Sequence, residues 1–72
     1  MREEMIEALR KHAEGHIEKH KLNVEVILQK PVGIGEHGDI IETIEKEMKI
    51  VAEYEDLKAN MRKHFGQDTL SE

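Results

Sequence analysis

Cysteine and tryptophan are absent from this chain of 72 residues, proline occurs once, and Tyr54 and Phe65 are the only aromatic side chains besides histidine. Without cysteine there can be no disulfide framework, no thiolate zinc site and no thiol chemistry, a composition that fits a reducing compartment. With two aromatic side chains, little of the surface that usually lines a small-molecule pocket is on offer. No segment approaches the roughly 20 consecutive apolar residues of a membrane span. The opening Met1-Arg2-Glu3-Glu4 is not followed by the apolar stretch of a secretion signal. Positive charge is in the minority: 11 Lys and Arg against 16 Asp and Glu leave a formal charge of −5 with histidine neutral. The expectation is a soluble, cytoplasmic protein with no membrane and no nucleic-acid partner, because phosphate-backbone binding needs clustered Lys and Arg. A basic face would have to be assembled from Arg2, Arg10, Lys11, Lys19 and Lys21.

What the chain does have is aliphatic residues at helical spacing and one stretch of punctuation. Lys30 to Gly38 holds the single proline, Pro31, and three of the five glycines, Gly33, Gly35 and Gly38. Pro31 cannot donate a backbone hydrogen bond and pushes Lys30 away from helical geometry, so one turn splits the chain nearly in half. Before it, Met5, Leu9, Ala13, Ile17, Val24, Ile27 and Leu28 recur on one helical face, with Ile6 widening the stripe. Leu22 to Leu28 also alternates in part, which is a strand signal. A lone strand would lack a partner, so continuous helix is expected to about residue 29. Gly15 weakens that helix by about 1 kcal/mol relative to alanine.

After the turn, Ile41, Ile44, Met48, Val51, Tyr54, Leu57 or Lys58, Met61 and Phe65 repeat the pattern. Glu36 is placed to cap this second helix, Asp39 and Glu42 suit its positive end, Lys63 and His64 its negative end, and Gly66 its stop. The predicted architecture is all-α: a two-helix antiparallel hairpin over residues 1–66, with helices over about 2–29 and 38–65, a turn over 30–37 and a polar tail over 67–72. Two rods of about 42 Å that touch along one line leave apolar surface wet. A chain this short buries only about 60% of its unfolded surface. Ile40, Ile50 and Val26 lie beside the main seam and, with Ile44, Met48 and Val51, form the expected interface of a homodimeric four-helix bundle. Another protein would serve as partner equally well.

Two side-chain patterns bear on chemistry. His12, His16 and His20 stand four residues apart and climb one helix face, the spacing at which imidazoles can share a metal ion. Their competing reading is as seam residues, solvated or hydrogen-bonded to carboxylates across the interface, since no Glu-x-x-His pair of the di-iron kind precedes them. Glu42, Glu45, Glu53 and Asp56 read as Glu-x-x-Glu followed by Glu-x-x-Asp, the order of the magnesium-binding carboxylates of MazG-like nucleotide pyrophosphohydrolases. In that family the two pairs sit on different helices. Here one rod carries both, about 12 Å apart, and pairs such as Glu42–Lys46 and Glu45–Lys49 make a solvated charged face the simpler account. Gly33-Ile34-Gly35 lacks the Gly-Lys-Ser/Thr ending of a phosphate loop, and the one serine, Ser71, lies in the tail. No catalytic set and no cofactor emerge. Protonating the five histidines near pH 6 would offset the −5 balance and weaken an interface that buries His16 and His20 uncharged.

The segment Pro31-Val32-Gly33-Ile34-Gly35-Glu36-His37-Gly38-Asp39-Ile40, with Ile44-Glu45-Lys46-Glu47 and Ala52-Glu53-Tyr54, resembles short helical proteins encoded by large tailed phages of marine bacteria. Met1 to Ile6 and His16-Ile17-Glu18-Lys19-His20 resemble them too. In those proteins a proline often follows the turn histidine, where this chain has Gly38. The resemblance implies a phage origin, a helical fold and an infected host cell as the location, and ties no motif to an activity. The resulting expectation is a small acidic non-enzymatic interaction module, with a metal-binding or MazG-like role as the alternative.

Overall fold

The computed structural model describes residues 1–29 and 37–66, with the side chains of His37 and Gly38 left aside. Two helices make up the described chain, α1 over Arg2–Gln29 and α2 over His37–Phe65. Leu22 to Leu28 is helical, and no strand occurs among the described residues. Of the expected turn at 30–37, residues 30–36 lie outside them, as do the Glu36 cap and the tail 67–72, while His37 is the first residue of α2.

Local chemistry favours both rods. Glu3 and Glu4 occupy the first turn of α1, and Asp39 that of α2, where the positive end of the helix dipole stabilises acid. The N-terminal amine pairs with Glu4 at 2.7 Å. Along α1, Arg10 forks onto Glu7 and reaches Glu14 at 2.7 Å, the three- and four-residue spacings that put side chains one turn apart. Arg62, Lys63 and His64 fill the last turn of α2. Gly66 closes it, its N–H donating to the Arg62 carbonyl at 3.1 Å. A Cβ at Gly66 would lie 2.7 Å from the Arg62 Cα, so a larger residue would have to open that turn.

The helices pack against each other in antiparallel sense. Arg2 donates to the Phe65 carbonyl (3.3 Å) at one end, Lys58 pairs with Glu14 (3.0 Å) mid-rod, and Asn23 donates to Glu47 (3.0 Å) nearer the other end. Burial follows a heptad-like alternation of three and four. On α1 it passes through Ile6, Leu9, Ala13, His16, His20, Asn23 and Ile27, and on α2 through Ile40, Ile44, Glu47, Val51, Tyr54, Lys58 and Met61. The apolar stripes are therefore displaced from their sequence-based centre. Met5, Leu28, Ile41 and Phe65 stay exposed, because each apolar stripe is broader than the single line along which one rod meets another.

Among the described residues only Ala13 (1% exposed) and Val51 (3%) are closed off from solvent as core. The molecule measures 50 × 19 × 16 Å, with a radius of gyration of 16.0 Å. A compact domain of this length would have one near 11 Å.

Candidate functional site

The middle of the seam is polar. His20 and Glu47, facing each other from α1 and α2, have side chains 13% and 20% exposed, and the imidazole Nδ1 lies 2.6 Å from Glu47 Oε1. Asn23 donates its amide to the same oxygen. These two hydrogen bonds, Asn23's first, hold the Glu47 carboxyl below the usual range. Two turns away, Glu14 accepts from Lys58 across the seam and from Arg10 along its own helix, and the Lys58 hydrogen bond leads in lowering its pKa.

Between these pairs sits a ring stack. His16 lies on Tyr54 with centroids 4.5 Å apart and planes within 4°. His12 approaches His16 edge-on at 4.5 Å, and His20 lies nearly parallel to His16 at 6.1 Å. His16 Nδ1 is buried and has no hydrogen-bond partner among the described residues. Burial of the ring, then the positive charge available to His12, Lys19 and His20, pushes its pKa below the ordinary histidine value. Protonating Nδ1 would bury an N–H with nothing to accept it.

The three histidines proposed as metal ligands are thus drawn into different roles. His20 is committed through Nδ1 to Glu47, His16 is stacked in the seam, and His12 is exposed. Among the described residues no group of three or more His, Asp or Glu side chains is arranged to hold a metal ion. The four carboxylates of the MazG-like reading are all exposed on α2, and Glu45 pairs with Lys49 at 3.5 Å. They share one helix, whereas the magnesium chemistry of that family needs acid converging from two.

Of the six residues expected at a dimer interface, Val51 is covered within the hairpin and Ile40, Ile44 and Ile50 are half-buried, which leaves Val26 (58%) and Met48 (46%) bare. Of the polar seam partners, the sequence reading names Lys58 as the alternative to Leu57 and leaves out Asn23 and Glu47; a strict three–four count run through polar as well as apolar positions finds all three.

Two open hollows flank the His16–Tyr54 stack. One, of about 300 Å³, is lined by Lys11, His12, Gly15, His16 and Lys19 on α1. The other, of about 370 Å³, is lined by Glu53, Tyr54, Asp56, Leu57 and Asn60 on α2. A basic concavity and an acidic one therefore lie side by side in a protein of net negative charge. No helix of the described residues is long and apolar enough to cross a membrane.

Compared with known proteins, the chain matches no protein-family model, no curated protein and no solved structure.

Proposed function

We propose that this chain is a non-enzymatic helical interaction module that works as a homodimer, two hairpins completing one four-helix bundle. In line with the resemblance of its sequence, its role is that of an accessory protein of a tailed phage, exerted through protein contacts. The observation that carries the reading is the incompleteness of the core. Among the described residues two are closed off, while Leu22, Val26, Ile41 and Met48 remain exposed along the rods. Apolar surface contributes about 25 cal/mol per Å² when removed from water, and a second hairpin is the simplest way to remove it.

Light scattering or sedimentation equilibrium at 10–100 µM concentrations (roughly the range that separates micromolar dimers from monomers) tests the proposal. A mass of about twice the 8.4 kDa of the chain is expected. A single-chain mass throughout that range removes the reading.

A second reading, a transition-metal site, draws on the 4.5 Å approach of the His12 and His16 rings. It needs a further ligand from solvent or a partner, since four-coordinate zinc takes at least three protein donors in its familiar sites. Calorimetric titration with Zn²⁺ and Ni²⁺ decides it: absence of binding tighter than about 1 mM rules the site out.

A further inference from the structure

Resting on the homodimer reading, the geometry points to which face the second copy covers and how it is turned: we propose that the face bearing both hollows docks on its own twin, the basic hollow of α1 over the acidic hollow of the partner's α2, about a two-fold axis parallel to the rods.

The two hollows share one face. Tyr54 lines the acidic one and stacks at 4.5 Å on His16, which lines the basic one. They also lie at the same level of the rod, since Glu14 meets Lys58 across the seam. Residues seven apart keep to one stripe of a helix. Val26 therefore extends the stripe of His12 and Lys19, and Ile50 extends that of Leu57. The face is charged and aromatic in the middle and apolar toward its end.

Face-to-face stacking of two rods admits two kinds of two-fold axis in the plane between them. An axis across the rods sets α1 on α1 and α2 on α2, so that base meets base and acid meets acid. An axis along the rods sets α1 on the partner's α2. Basic and acidic hollows then meet twice per dimer, because the contact is isologous, and every neighbouring helix pair is antiparallel. Charge complementarity selects the second. The opposite face offers no such match. Its hollow is lined by Glu18, Lys21, Leu22, Val24, Glu25 and Met48. The α2 stripe through Met48 runs from Ile41 to Glu55 and Arg62, so that face is apolar with mixed charge and sets no basic hollow against an acidic one.

Two independent features agree with docking at this face. Gly15, in the floor of the basic hollow, weakens α1 in a position where a Cβ would meet nothing within 4 Å. The hairpin itself therefore gives no reason for a glycine, whereas close approach of another helix does. Lys19, Glu53 and Asp56 take part in no ion pair among the described residues, and Lys11 has only a 3.9 Å contact to Glu7. The 50 × 19 Å face has room for the ~800 Å² per partner of a standard interface. Exposed charge pairs contribute little affinity. Val26 and the half-buried Ile50 supply the apolar contact of this face, the charges choose its orientation, and Leu22 and Met48, at the opposite hollow, stay outside it.

The test is charge reversal on the full chain, with helicity checked by circular dichroism and mass by sedimentation equilibrium. One variant carries Lys11→Glu and Lys19→Glu, a second carries Glu53→Lys and Asp56→Lys, and a third carries all four. Each of the first two is expected to weaken self-association at least about tenfold. The third, with its hollows exchanged, is expected to recover it, and the wild-type dimer is expected to weaken as salt is raised. If the wild type is dimeric but indifferent to all three sets and to salt, the docking face is overturned while the homodimer stands. If the wild type is monomeric, the functional reading itself fails, and the face with it.

Discussion

The imidazole of His16 lies flat against the phenol ring of Tyr54, 4.5 Å between centroids, with its Nδ1 buried and unpartnered. This contact joins the two helices at the level where their polar residues are densest. It also makes the hairpin sensitive to protons in a direction that can be stated. The folded-state pKa of His16 lies below its ordinary value of 6.5. Between the two values the unfolded chain binds more protons than the folded one. The contribution of neutral His16 is therefore complete above about pH 6.5 and is lost as pH falls through the depressed value. His16→Phe keeps a flat ring on Tyr54 and removes the titration. Its melting temperature is expected to fall less than the wild type's between pH 7.5 and 5.5 (about one pH unit either side of the free imidazole value). Equal losses in both proteins would show that another group governs the response.

The Glu47 carboxylate gives a second, more acidic window. Hydrogen bonds from Asn23 and His20 lower its pKa from 4.5, so its contribution is present above that value and disappears as the pH drops below it. Glu47→Gln should flatten the pH dependence of unfolding at that acidic end. Glu47→Leu alone removes the acceptor shared by His20 and Asn23 and should destabilise more than the combined His20→Leu and Glu47→Leu replacement, which leaves fewer orphaned groups. A double variant less stable than either single one in urea melts would contradict this account of the cluster.

Packing predictions concentrate on the two closed residues. Val51→Ala removes two buried methyl groups' worth of apolar contact and should cost about 2 kcal/mol. Ala13→Leu overfills the most closed position of α1 and should cost about 1–3 kcal/mol. Urea unfolding at pH 7.5 measures both (well above the range in which His16 titrates). If either change were neutral, the seam would not run through Ala13 and Val51 in solution.

How much of this was legible in the sequence follows from what each feature depends on. The two rods are local properties, carried by the spacing of Leu9, Ala13, Ile44 and Val51, and can be read directly, while the break expected at Pro31 lies outside the described residues. The phase of the seam is not local. Met5 and Ile41 are as apolar as Ile6 and Ile40 but remain exposed, because the line of contact is decided by the opposing helix. Asn23 and Glu47 are passed over, and Lys58 enters only as the alternative to Leu57, since a count of apolar positions skips polar ones. A two-helix contact can seat them there, with each side chain satisfied across the seam and solvent close by. The hollows required register: Glu53 and Lys19 stand far apart in the chain and become neighbours on one face only once Glu14 is set against Lys58.

Gly15 offers a way to separate stability of the hairpin from its association. Any side chain there should favour α1, because glycine is the poorest helix former after proline, by about 1 kcal/mol relative to alanine, and a Cβ meets no neighbour within 4 Å. Gly15→Ala should therefore raise the melting temperature by about 4–8 °C. Gly15→Phe should also leave the isolated hairpin at least as helical as the wild type, while its ring fills the basic hollow that a partner's helix would enter. The expected pair of results is a helical Phe variant that sediments as a single chain and an Ala variant that associates more weakly than the wild type. A Phe variant that dimerises as tightly as the wild type would mean that the floor of this hollow faces solvent in the assembled protein, and the glycine would then have no packing reason at all.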